Sequence, residues 1–155
     1  MKKEFDDYLC TTYPKLFVNR HKDMTETCMC WGFSCGDGWF NIINQLCLNI
    51  QHHLDWKNKD GDVVPQVVVD QVKEKFGTLR FYYSGGDEYI HGLVSMAESM
   101  SGVTCERCGN LAEVQAEGGW LRAICTVCDE KQQQEHLDRL SEYEQKKLLK
   151  EGFEE

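Results

Sequence analysis

Apolar positions recur with helical spacing twice in this chain and alternate once between the two stretches. Trp39, Ile42, Ile43, Leu46, Ile50, His53 and Leu54 line one face of a helix that Asp37 is placed to cap. That helix is expected to end near Asn58, before the turn signal Lys59-Asp60-Gly61-Asp62. Ile90, Leu93, Val94, Ala97 and Met100 make the stripe of a second helix, which follows Ser84-Gly85-Gly86-Asp87. Between them, a β region opened by Pro65 reads as a hairpin turning near Phe76-Gly77. Its alternation puts Val68 and Val72 on one face with Leu79, Phe81 and Tyr83. Gln71, Lys73, Arg80 and Tyr82 share the other face.

The flanks are less periodic. A short amphipathic helix or turn around Phe5, Tyr8 and Leu9 is broken near Pro14, and residues 20–30 are polar without a clear period. From Trp31 to Trp39, three glycines stand among three large aromatics, as in a tight loop packed by rings. Residues 129–150 predict a polar helix with Glu135/Arg139 and Glu142/Lys146 in supporting order. Its apolar residues, Leu137, Leu140 and Leu148, are few, so it packs lightly or extends from the domain.

Four cysteines add chemistry to this outline. Cys105-Glu106-Arg107-Cys108-Gly109 and Cys125-Thr126-Val127-Cys128 are two CxxC pairs at the spacing of a zinc ribbon. Each pair can grip one side of a tetrahedral ion. Four thiolates complete the shell, so one structural Zn2+ is expected, with no position left for substrate. A redox reading needs a CxxC at a helix start in a βαβ context, which the pattern lacks. The layout also resembles a zinc-braced nuclease of the HNH type, but residues 109–124 contain no histidine to activate water. Cys28, Cys30 and Cys35, with His21 or Cys47, have no usual metal spacing and read as buried or loop thiols. In the pair His52-His53, His53 points to the apolar side and His52 away from it.

Charge and cysteine number narrow the function classes. The net charge of −9 disfavours a general nucleic-acid binder, and residues 104–129 hold only Arg107 and Arg122 as bases. Nine cysteines is an odd number, and the N-terminal residues show no export signal. Reduced thiols and a cytoplasmic location are expected, with no membrane partner. Lys73 and Arg80 fall on one face of the hairpin, where like charges repel. Either acidic neighbours neutralise them, or they hold an anion with Tyr82 beside them.

Three stretches carry a resemblance. They are Trp31-Gly-Phe-Ser-Cys-Gly-Asp-Gly-Trp39, Gln71-Val-Lys-Glu-Lys-Phe-Gly-Thr-Leu-Arg-Phe-Tyr82 and Thr104-Cys-Glu-Arg-Cys-Gly109. Together and in this order they resemble a family of small uncharacterised zinc-ribbon proteins of bacteriophages, prophages and bacteria. Family members often carry Glu where this chain has Ser34, which argues against an essential acid there. The resemblance implies a phage or prophage setting and a partner in the host cell.

The expected fold is α+β: a small antiparallel sheet with two packed helices (residues 1–103), a zinc ribbon (104–129) and a polar C-terminal helix and tail (130–155). The expected function is a non-enzymatic, zinc-braced binding protein that neutralises a host component, either a defence protein or a nucleotide signal. Lys73, Arg80, Tyr82, Trp31, Asp37 and Trp39 are the candidate ligand-binding residues, and a homo-oligomer is a further possibility. A nucleic-acid-binding ribbon and a nucleotide- or nucleic-acid-hydrolysing enzyme are the alternatives.

Overall fold

The computed structural model describes residues 1–61 and 64–151 of the chain. Its first helix, α1 (Lys3–Thr12), buries Leu9 and stacks Phe5 on Phe40, ring centroids 4.3 Å apart. The segment after it is pinned by Arg20, whose guanidinium holds the Asp6 carboxylate at 2.8 Å and the Cys30 carbonyl at 3.0 Å. A short 3-10 turn, Cys28–Trp31, leads into a two-residue strand, β1 (Phe33–Ser34).

Helix α2 (Phe40–Lys57) carries the expected stripe: Ile43, Leu46, Cys47, Ile50 and Leu54 are buried, and Trp39 just before it is fully buried. Asp37 does not cap it. The residues Asp37–Trp39 form a 3-10 turn, and the Asp37 carboxylate instead accepts the Lys2 backbone N–H at 2.7 Å and pairs with Lys2 Nζ at 3.3 Å. At the other end, the Asn58 amide brackets Val64, accepting its N–H and donating to its carbonyl. Asp62 of the expected turn, the tail 152–155 and the side chain of Leu148 lie outside the described residues.

Strands β2 (Val68–Lys75) and β3 (Thr78–Ser84) form the hairpin, joined by Phe76-Gly77 with both residues at positive φ, as a two-residue hairpin turn requires. The sheet order is β1-β2-β3, and β1 pairs with β2 in parallel, so the sheet is mixed, with one parallel edge. A bulge at Asp70 corrects the expected facing pattern. Val69 pairs with Tyr83 and Gln71 with Tyr82, so one extra residue sits on β2. Above the bulge Val69, not Val68, turns into the core; below it Val72 and Phe81 face inward as the alternation predicts.

Helix α3 (Glu88–Ser101) is capped by Asp87, whose side chain accepts the Ile90 N–H, and packs Ile90, Val94 and Ala97 against the sheet and α2. Met100, expected in that stripe, stays about half exposed with Met96. The helix also closes the open edge of β3. Leu79 N–H donates to Ser101 Oγ at 2.7 Å, and Phe81 N–H to Glu98 Oε1 at 3.0 Å. A free edge is thereby satisfied by side chains instead of another strand.

The C-terminal half adds a second hairpin, β4 (Glu113–Glu117) and β5 (Trp120–Ile124), and a long helix, α4 (Thr126–Glu151). The helix starts before residue 129, so Cys128 lies in its first turn. Glu142 pairs with Lys146 as expected, whereas the Glu135 carboxylate reaches Arg107 at 3.6 Å and its backbone carbonyl accepts from Arg139. Leu137, Leu140 and Tyr143 are exposed. Among the described residues, no helix is long and apolar enough to cross a membrane.

Candidate metal centre and cationic sheet face

The two CxxC pairs converge. The turn after Thr104 presents Cys105 and Cys108, β5 ends just before Cys125, and α4 supplies Cys128. All four Sγ atoms lie within 4.8 Å of one another, and Cys108 Sγ and Cys125 Sγ are 3.6 Å apart. Tetrahedral zinc–thiolate geometry places sulfurs on the order of 3.8 Å apart, so the donor set fits a metal ion of that kind. The ionisation of the thiols agrees. Burial opposes ionisation of Cys105, but backbone N–H groups of Cys125, Cys108 and Arg107 outweigh it and bring its pKa down to about 7. Burial and the neighbouring thiols push Cys128 up to about 12. A bound cation removes this conflict by taking all four sulfurs as thiolates.

The first CxxC turn is also a docking element. Gly38 N–H donates to the Glu106 carbonyl, and Gly36 N–H to Glu106 Oε1, each at 2.8 Å. Trp39 Nε1 donates to the Thr104 carbonyl at 2.8 Å. A Cβ on Gly38 would lie 2.1 Å from the Cys105 carbonyl oxygen, and one on Gly36 2.2 Å from that of Glu106. The glycines between the aromatics are therefore sites of backbone-to-backbone approach, where a side chain has no room. Glu106 makes the joint and escaped the sequence reading, because the variable positions of a CxxC pair carry no spacing signal.

The outer face of the three-stranded sheet forms a second feature. Ser34, Lys73 and Arg80 stand in register across β1, β2 and β3. Phe33, Val72 and Phe81 are buried on the opposite face, so this row turns outward. Lys73 Nζ lies 5.5 Å from the Tyr82 ring centroid, and Tyr82 is 42% exposed. Arg80 donates to Thr78 Oγ1 and to the Leu79 carbonyl along its own strand. Among the described residues, neither Lys73 nor Arg80 forms an ion pair with a carboxylate. Tyr82 also borders a cleft of about 450 Å³ walled by residues 24–28.

The other singled-out residues separate from this face. Trp31 is exposed, Trp39 belongs to the core, and Asp37 is held by Lys2. Cys35 and Cys47 are buried, and burial pushes the Cys35 thiol up to about 12 and Cys47 well above its ordinary value. Cys30 donates to the Thr27 carbonyl, and Cys28 is exposed. His53 is bonded to Asp87 at 2.8 Å, while His52 faces solvent. Comparison with protein-family models, with curated proteins and with solved structures finds no match.

Proposed function

We propose that this chain is a non-enzymatic binding protein, braced by one structural zinc on Cys105, Cys108, Cys125 and Cys128, that recognises an anionic segment of a partner through Ser34, Lys73, Arg80 and Tyr82. The observation that carries the reading is the placement of Lys73 directly opposite Arg80 without a carboxylate on either. Like charges in cross-strand register destabilise a hairpin. A chain with 26 acidic residues has ample means to neutralise them, and here does not. A carboxylate or phosphate from outside relieves the repulsion, gripped by the Arg80 fork and the Lys73 ammonium, with the Ser34 hydroxyl as a further donor.

An outward sheet face offers a broad surface, which suits an acidic stretch of a protein. With the resemblance to phage and prophage proteins, the reading becomes an accessory factor that engages a host component. Zinc chemistry plays no part in binding on this view. Four thiolates close the shell, and the metal holds the turn at 105–109 against the loop that carries β1.

Titration with an oligoglutamate peptide, followed by amide NMR shifts, tests the proposal. Shifts are expected at Ser34, Lys73, Arg80 and Tyr82, weakening with added salt. Arg80→Ala should lower affinity by about tenfold or more without changing the melting temperature. Equal affinity in Arg80→Ala and Lys73→Ala would remove this face from consideration.

A further inference from the structure

We propose that the cleft between the C-terminal half of α2 and the N-terminus of α3 binds a flat heteroaromatic anion of the nucleoside monophosphate class, independently of the outer sheet face. The cleft measures about 590 Å³, the size of a small-ligand site. Two aromatic rings border it, Trp56 at 62% and Tyr89 at 55% exposure. Rings left this open beside a cavity offer π-faces on which a base can stack.

The floor of the cleft is preorganised. His53 Nε2 lies 2.8 Å from Asp87 Oδ2, and its ring stacks on Tyr89 with centroids 4.4 Å apart. The other Asp87 oxygen accepts the Ile90 N–H at 3.1 Å. Both oxygens of the carboxylate lining the cleft are thus committed to internal partners. The remaining ionisable groups on its walls are basic: Lys57, His52 and His53. Lys57 Nζ already sits 5.2 Å from the Trp56 ring centroid, the position that a cationic ligand would need. The site therefore selects an aromatic ligand with negative charge over an aromatic-caged cation. Asn49 on the same wall adds an amide able to hydrogen-bond a base edge.

The test uses adenosine monophosphate, adenosine and inorganic phosphate as separate probes, with the tryptophan indole NMR resonances as readout. Trp56→Ala identifies the resonance. Adenosine monophosphate should shift it saturably, while adenosine and phosphate each bind about tenfold more weakly or less. Lys57→Ala should weaken the monophosphate and leave adenosine unchanged. Trp56→Ala, at an exposed position, should keep the melting temperature and lower monophosphate affinity about tenfold. Arg80→Ala should leave all of this intact, which separates the cleft from the sheet face. The proposal is overturned if the Trp56 resonance does not move, if phosphate alone matches the monophosphate, or if Trp56→Ala binds as tightly as the parent.

Discussion

Single residues in this chain act mainly by fitting one backbone against another. Gly38 shows it best, because a side chain there meets the Cys105 carbonyl, the Gly109 nitrogen and the Cys108 nitrogen within 2.8 Å. Gly38→Ala should cost about 3 kcal/mol, as overpacking against unyielding backbone does. Gly92→Ala is its counterpart: it lies inside α3, exposed, with nothing within 4 Å of the added carbon. That change should stabilise by about 0.5–1 kcal/mol, and urea midpoints of the two variants should move in opposite directions. Asp6 acts through charge. Burial opposes its ionisation, but hydrogen bonds and the positive charge of Arg20 outweigh it and hold its carboxyl below the usual range. Its stabilising contribution is complete above the unfolded-chain value near ~3.9 and is lost as pH falls through the lower folded value. Asp6→Asn should be less stable than the parent at neutral pH, and the gap should narrow as pH drops below about 4. Equal gaps at both ends of a thermal-melt pH series would contradict the assignment.

At the scale of elements, periodicity told helix from strand but not where side chains supply what a strand lacks. The α2 and α3 stripes and the two-residue turn at Phe76-Gly77 were legible, because burial on one face leaves a period in the sequence. The bulge at Asp70 was not, since a run of valines reads equally well in either facing. Nor was β1, two residues long and placed by the loop around it. The closure of the β3 edge by Ser101 and Glu98 left no trace either, because a lone Ser in a helical stripe looks like an interruption. Ser101 is fully buried, and its hydroxyl serves Leu79 N–H while donating to the Glu98 carbonyl. Ser101→Ala strands a buried N–H and should cost about 1–3 kcal/mol. Ser99→Ala, which removes an exposed hydroxyl bonded to the Ser95 carbonyl, should change stability by less than about 0.5 kcal/mol. Matching urea midpoints for the two variants would show that α3 does not close the edge in this way.

Across the whole molecule, the cysteine cluster joins three parts. It holds the turn at 105–109 against the glycine loop, fixes the β4–β5 hairpin, and starts α4, which Arg107 and Arg122 tie back through Glu135 and Asp129. The metal-ligand set was fully legible because CxxC spacing is a chemical constraint. The cationic row was half legible: alternation paired Lys73 with Arg80, but only the parallel edge brings in Ser34. Removing the metal should therefore loosen more than the ribbon. With a strong chelator, hydrogen exchange should rise in residues 104–128 and in 33–39, while β2 and β3 keep their protection. The most direct measurement is the native mass of protein purified at neutral pH, set against its denatured mass. One zinc ion per chain, lost together with the 33–39 protection in Cys105→Ser, is the predicted result. A metal-free chain with all four thiols open to alkylation and the same protection at 33–39 would contradict a zinc-braced fold.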